Sequence, residues 1–433
     1  MSINIEKVHS KNKTMTESFV QGASESLFSI YNLPYGVFQR KDEKNPRIGT
    51  AIGNYVLDLA VLEKAGLLIS NSNQSLFDRD SLNFFASQGQ ETWSIIRNRI
   101  QSLLSIDNHE LQDNAELLAK ALVPQADINM LLPFKIEGFS DFYASEHHAT
   151  NVGKLFRGKE NALLPNWKFL PVGYNGRAST VFLSGTQIPR PKGQIKLKDQ
   201  DAPIFDFSNK LDFELEIGMF IGVGNPDGRR IDVNKATSHI FGLVLLNDWS
   251  ARDIQAFEYQ PLGPFLSKSF ATSISSWVVP LEALKDSMTP LPKQFPECVE
   301  YLQQASPMQP NIKLRVEIQP KDSNIRTTIC ETNCTELYWS MEQMLAHHTV
   351  NHCIMKPGDL LGSGTISGPN KENWGSLLEI TFNGTEPIKL VDGQERTFLQ
   401  DGDTVIITGY CEMNHSKIGF GSLEGTVSRE RHD

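Results

Sequence analysis

The stretch LDFELEIG, residues 211–218, sets the reading of the chain. As a β-strand it sends successive side chains to opposite faces. Asp212, Glu214 and Glu216 then share one face, and Phe213, Leu215 and Ile217 the other. Three acids in a row, with no interleaved Lys or Arg, repel one another unless a cation or a basic group sits over them. Two readings fit these residues: an edge strand with a solvated acidic face, or a strand that presents oxygen ligands to a metal. Alternation alone is a secondary-structure signal and does not separate the two.

Chemistry-bearing residues gather in three other stretches. IFGLVLLNDWSAR, residues 240–252, runs an apolar strand into Asp248 and then Arg252. An acid at a strand end is often a turn or helix cap, but beside Glu214 and Glu216 it can supply a third oxygen to a hard cation such as Mg²⁺ or Ca²⁺. SDFYASEHHATNVGKLFR, residues 140–157, concentrates Asp141, Tyr143, Glu146, His147, His148 and Arg157. One of the two histidines can serve as a general base, or both can be ordinary structural residues; the sequence alone does not choose. His347, His348 and His352 lie close together further on. His348 and His352 have helical i, i+4 spacing, but the Glu of a His-Glu-x-x-His zinc helix is missing, so core hydrogen bonding is the expected use.

The 433 residues leave room for two or three domains. A formal net charge of −10 argues against nucleic acid as the main partner, yet leaves room for a local basic pocket that holds a small anionic substrate. Five cysteines, an odd number in a long chain, fit a reducing compartment better than a disulfide framework. Cys330 and Cys334 lack a second Cys or His pair at structural-zinc spacing and read as plain thiols. The polar start MSINIEKVHSKNKT has no apolar signal core, no run is long enough to span a bilayer, and the end SRERHD is not a sorting address. The expectation is a soluble cytosolic protein.

Residues 1–25 are polar, so packed structure is expected to begin near Phe28. Residues 33–59 read as short strands with a hairpin around 49–54, and residues 76–122 turn helical, with Trp93, Ile96, Ile100 and Leu104 at three- and four-residue spacing. Residues 122–134 carry two prolines and read as a linker into a second domain. Beyond it the chain is rich in short strands and Gly and Pro turns, pointing to a sandwich, roll or barrel. A few helical windows are expected there, with 144–154 a candidate and 335–351 the best one. The glycines of GSGTISG, residues 362–368, do not have nucleotide-loop spacing.

Six blocks, in order and at consistent spacing, resemble the fumarylacetoacetase family: SDFYASEHHATNVG, LPVGYNGRAST, LDFELEIGMFIG, LNDWSARDIQAFEYQPLGPFLSKSF, GDLLGSGTISGP and DGDTVIITGYC. The resemblance covers almost the whole chain. It implies a mainly β (α+β) subunit with a polar extension (1–27), a small SH3-like β-barrel accessory domain (28–133), and a larger mixed β-sandwich roll (134–433) that holds the active site. It also implies a homodimer. The family's metal ligands fall on Asp141, Glu214, Glu216 and Asp248, with Lys268 and Thr272 near the same Mg²⁺ or Ca²⁺ ion. Its catalytic base falls on His148, seven residues after Asp141, and the acid that orients that base falls on Glu379 in SLLEITF. Arg252, Gln255 and Lys268 match the group around the oxyanion, and Tyr143, Arg157, Tyr174, Gln255, Tyr259 and Thr365 match substrate contacts.

The implied reaction is metal-dependent hydrolysis of a carbon–carbon bond in 4-fumarylacetoacetate, giving fumarate and acetoacetate, the last step of tyrosine and phenylalanine catabolism. Related acylpyruvate hydrolases, decarboxylases or hydratases share the metal set, typically in shorter chains, and form the alternative; a non-enzymatic binding protein on the same scaffold is a third. One departure stands out: Glu146-His147 replaces the family's Arg-Gln just before the base, reversing a charge there.

Overall fold

Residues 17–69, 72–413 and 416–429 are described by the structure, a computed structural model of the chain. Tyr35–Arg40, Arg47–Ile52 and Tyr55–Asp58 form an antiparallel meander, closed into a five-stranded sheet by Leu122–Pro124 and Ile128–Leu131. The first strand lies between the second and the fifth, and the fourth lies outside the third. This is the strand order of an SH3-like barrel, with a 3-10 turn, Gln125–Asp127, between the last two strands. Gly53, at φ 56°, turns the hairpin expected around 49–54, a conformation that glycine adopts without a Cβ clash. Between the third and fourth strands runs a helical insertion. Its longest helix, Gln90–Leu104, buries Trp93, Ile96, Ile100, Leu103 and Leu104 along one stripe.

Two expectations are corrected here. Residues 122–134 are not a linker, since they supply the last two strands of the N-terminal sheet. The prolines misled because Pro124 ends an edge strand and Pro133 follows the other strand, positions where a missing N–H costs no ladder bond. Packed structure also begins before Phe28: Ser18 bridges to Ser105, and Val20 and Ala23 are buried. The earlier part of the polar start, residues 1–16, lies outside the described residues.

The larger unit pairs two sheets over one apolar core. An eight-stranded mixed sheet runs Gly173–Asn175, Phe139–Phe142, Leu360–Gly362, Leu215–Ile221, Ile240–Asp248, Thr272–Ile274 and Val181–Leu183, with Val279–Pro280 added beside Ile240–Asp248. A five-stranded sheet contains Lys313–Gln319, Thr327–Asn333, Thr404–Glu412, Lys417–Ser428 and Gln187–Pro189. Ile217, Leu243 and Leu245 of the first sheet share a core with Val316, Ile407 and Leu423 of the second. The two expected helices form as Glu146–Arg157, capped by Ser145, and Met341–Thr349, which starts with a Ser340–Gln343 capping box. No described helix is long and apolar enough to cross a membrane.

An aromatic junction joins the two units. Phe241, on the strand that ends at Asp248, meets Tyr35 at 5.7 Å, Phe85 at 5.6 Å and Trp93 at 5.2 Å between ring centroids. Tyr35 and Val278 exchange backbone hydrogen bonds, Tyr35 N to Val278 O at 2.9 Å and Val278 N to Tyr35 O at 2.8 Å.

Candidate active site

The stretch 211–218 is not one uninterrupted strand. Leu211–Asp212 pairs with Ser250–Ala251, Glu214 makes an isolated bridge to Ser376, and Leu215–Ile221 continues into the large sheet. Both faces are buried, which removes the solvated-edge reading. Leu211, Phe213, Leu215 and Ile217 enter the core. Glu214 and Glu216 turn the other way and meet Asp141 from Phe139–Phe142 and Asp248 from the end of Ile240–Asp248. One oxygen from each of the four lies within 4.8 Å of the others.

Gly362 and Gly364 make room for this cluster. A Cβ at Gly362 would stand 2.4 Å from Asp141 Oδ1 and 2.9 Å from Glu216 Oε2. Gly364, at φ 75°, turns its N–H onto the same two carboxylates, at 3.3 Å from Asp141 Oδ1 and 3.0 Å from Glu216 Oε2. The GSG of the GSGTISG stretch is therefore a cradle for carboxylates.

Burial, then repulsion from neighbouring acids, pushes the Asp141 and Glu216 carboxyls well above the usual range. Burial acts the same way on Glu214, but the charges of Lys268 and Arg252 outweigh it and hold that carboxyl low. Glu216 Oε1 is buried with no hydrogen-bond partner. A buried all-oxygen set with mutual repulsion and an orphaned oxygen fits a hard divalent cation, which takes several carboxylate ligands.

His148 and Glu379 lie beside the cluster. Ser145 caps the helix that carries His148, and Glu379 sits on the short helix Leu377–Ile380. His148 Nδ1 is 2.7 Å from Glu379 Oε2. Glu379 also accepts from Asn151 Nδ2 at 3.0 Å, Ser367 Oγ at 3.0 Å and Ser376 Oγ at 2.8 Å. Burial opposes ionisation of Glu379, but His148 and these donors outweigh it and keep its pKa below the ordinary carboxylate value. His148 Nε2 is left facing the cluster, 3.9 Å from Glu214 Oε1.

Arg252 is buried and held on three sides: Nε to Asp212 Oδ2 at 2.8 Å, Nη2 to Glu214 Oε1 at 2.8 Å, and Nη1 to Gln255 Oε1 at 3.1 Å. Lys268 Nζ bonds Glu214 and also Asp248 Oδ2, the latter at 2.6 Å. Thr272 reaches the cluster through Asp248, donating to Oδ1 at 2.8 Å, and Tyr174 donates to Asp248 Oδ2 at 2.8 Å. A cavity of about 420 Å³ opens onto His148, Arg252, Lys268, Asp141, Glu214 and Glu216. Tyr143, Arg157, Tyr174, Gln255, Tyr259 and Thr365 all line it. The Thr365 hydroxyl is buried without a partner, and Tyr143 packs edge-on against His148 at 5.3 Å.

Sequence reasoning missed several supporting groups. Asn151 follows His148 by three residues on one helix, so it shares that face. Ser376 and Glu379 have the Ser-x-x-Glu spacing of a helix start. Glu258 accepts from Phe265 N, Leu266 N and Ser267 N and so anchors the turn that carries Lys268. Nothing in the sequence marked that role.

Other chemistry-bearing residues lie elsewhere. His348 bonds Ser140, His347 bonds Tyr301, and His352 faces Gly228 O, as expected for structural histidines. Glu146 pairs with Lys168 at 2.7 Å and His147 approaches Glu336 at 3.7 Å, so the exchanged pair before the base is taken up by other partners. All five cysteines are free.

An imidazole–carboxylate pair opening on the same cavity as a buried four-carboxylate cluster able to hold a cation is the equipment expected of a metal-dependent hydrolase. Residues 31–133 match the family described as "Fumarylacetoacetase N-terminal", and residues 138–428 match "Fumarylacetoacetate (FAA) hydrolase C-terminal". The chain is 50% identical over 412 residues to the Fumarylacetoacetase of Homo sapiens, covering 95% of this chain and 98% of that one. Against the Fumarylacetoacetase of Caenorhabditis elegans it is 49% identical over 415 residues, covering 95% and 99%. A fumarylacetoacetate hydrolase from Exiguobacterium antarcticum shares the fold at a TM-score of 0.51 and 16% identity, over 92% of this chain and 100% of that one. The chain belongs to the fumarylacetoacetase family.

Proposed function

We propose that this chain hydrolyses 4-fumarylacetoacetate to fumarate and acetoacetate. The observation that carries this reading is the His148–Glu379 pair opening onto the four-carboxylate cluster inside one cavity. Near-complete coverage by relatives named Fumarylacetoacetase favours it over an acylpyruvate hydrolase, decarboxylase or hydratase.

Asp141, Glu214, Glu216 and Asp248 would hold a divalent ion, Mg²⁺ or Ca²⁺, which when bound supplies Lewis-acid stabilisation for a developing enolate. Lys268 and Arg252 offset the excess negative charge of the four acids and keep the cavity open to an anionic diketo acid. Glu379 fixes the proton on Nδ1 of His148, so Nε2 is the atom that accepts a proton from water. The water oxygen bonds to the carbonyl carbon of the fumaryl half. Arg252, Gln255 and Lys268 surround the oxyanion that forms, a contribution of about 3–4 kcal/mol per donor in comparable sites. The carbon–carbon bond then breaks, its electron pair leaves on the acetoacetate carbon, and that carbon is reprotonated. Arg157 and Tyr143, Tyr174 and Tyr259 grip the substrate's carboxylates and oxygens, and Thr365 supplies an unspent hydroxyl.

We further propose a cytosolic homodimer. Free thiols suit a reducing compartment, and the exposed Leu262, which lines the cavity, and the exposed Phe265 three residues on offer an apolar surface to a second copy. The deciding experiment is a substrate panel of fumarylacetoacetate and acylpyruvates, run with Mg²⁺, with Ca²⁺ and after chelation, beside elemental analysis of the purified protein. Turnover confined to fumarylacetoacetate and lost on chelation is expected; preferential turnover of acylpyruvates would overturn the reading.

A further inference from the structure

Asp212 is completely buried and does not line the cavity, yet four donors converge on it. Its Oδ1 accepts from Phe213 N at 2.9 Å and Leu377 N at 2.7 Å. Its Oδ2 accepts from Leu378 N at 2.9 Å and from Arg252 Nε at 2.8 Å. Leu377 and Leu378 are the first two residues of the short helix whose third residue is Glu379. One carboxylate therefore holds the guanidinium proposed to face the oxyanion and the start of the helix that carries the partner of His148.

Each end of this link is otherwise adjustable. The helix Leu377–Ile380 is a single turn, too short to fix itself, and its third amide is taken by Ser376 Oγ at 3.4 Å. Among the described residues, the other two amides bond Asp212 alone. Arg252 keeps its ion pair with Glu214 and its hydrogen bond to Gln255, but both of those partners also line the cavity. Among the described residues, Asp212 is the one side chain that hydrogen-bonds the guanidinium from outside the cavity lining.

We infer that Asp212 is a positioning residue, which locks Arg252 and the Glu379 helix into one frame and so sets the spacing between the base and the oxyanion donors. This rests on the proposed roles of Arg252 and of the His148–Glu379 pair. Asp212 touches neither substrate nor cation ligand, so its removal should act on kcat and not on substrate binding. Misplacement of reacting groups by about 1 Å can cost ~10²-fold in rate.

The test uses the full-length, metal-loaded protein and the nearly isosteric Asp212→Asn. Its amide oxygen can still cap Leu377 N, while its NH₂ faces the Leu378 and Arg252 donors and accepts from neither. The expected result is kcat lower by about 10²-fold, KM within threefold, Mg²⁺ affinity unchanged by calorimetry, and the acid limb of the kcat/KM pH profile displaced. Combined with Arg252→Lys, the losses should be strongly non-additive. A wild-type kcat in Asp212→Asn, or a loss matched in full by fewer folded or metal-loaded molecules, overturns the inference. Parallel Glu379→Gln and Arg252→Lys variants separate the two levels. Full activity in those variants overturns the underlying assignment and the inference with it. Their loss beside an unimpaired Asp212→Asn overturns the inference alone.

Discussion

His148 and Glu379 stand 231 positions apart in the chain and 2.7 Å apart in the fold. The bond occupies Nδ1 and leaves Nε2 as the free nitrogen on the cavity side. His148→Ala is therefore expected to lower kcat by at least ~10²–10⁴-fold, the usual weight of a positioned base. Cation binding should survive, because His148 is not among the four clustered acids. Steady-state kinetics beside calorimetric titration with Mg²⁺ checks both halves. Full activity in this variant would remove His148 as the base.

Gly362 offers a way to disturb the cluster without changing any ligand. An added methyl would overlap Asp141 Oδ1 and crowd Glu216. Gly362→Ala should weaken cation affinity by about 10–100-fold, the range seen when the groups that orient ligands are altered. The measurement is a binding isotherm, with activity recovering at raised cation concentration.

Removing the cation should lower stability as well as activity. A ligand held by the native state alone, at a hundredfold excess over its Kd, contributes about 2.7 kcal/mol. Without it, four buried acids face one another with Glu216 Oε1 unbonded. Thermal melts are expected to shift down on chelation and to recover when Mg²⁺ or Ca²⁺ is restored. An unchanged melting temperature would argue that the cluster holds no cation.

The pH dependence of stability follows from Glu379. Its folded pKa lies below the ordinary carboxylate value, because His148 and the side-chain donors outweigh burial. Its contribution is thus fully present above the unfolded pKa of about 4.3 and is lost as pH falls through the lower folded value. Asn151→Ala removes one of the donors that depress it, so the folded pKa rises toward the unfolded value, the contribution above that value shrinks, and its loss is complete at higher pH. Melting temperatures of wild type and variant, both in chelator, should differ most near pH 6 and converge toward pH 3 as Glu379 is protonated in both.

Much of the fold was legible. Trp93, Ile96, Ile100 and Leu104 announced their helix by spacing, and the alternation in 211–218 separated core residues from buried acids. The error at 122–134 came from reading prolines as linker punctuation without knowing that they fall at an edge and beyond a strand end. The site was legible only in part. The like-charged face of Glu214 and Glu216 offers a metal site as one of two readings, a short-range signal, and the family resemblance is what favours it. Glu379 and Asp212 depend on partners far along the chain, and no local pattern encodes such a pairing. Glu379 was reached through the family resemblance alone, and Asp212 has no place in the ligand set which that resemblance implies.

The ring junction around Phe241 ties the N-terminal unit to the strand whose far end is Asp248. Trp93→Ala should cost about 3–5 kcal/mol, as large buried aromatic truncations do, while leaving every catalytic atom in place. In a cell, losses of even ~1–2 kcal/mol change abundance several-fold through chaperone and protease triage. Inherited changes in the N-terminal third would then act as dosage lesions: fewer molecules, each still competent, and open to rescue by small compounds that stabilise the fold.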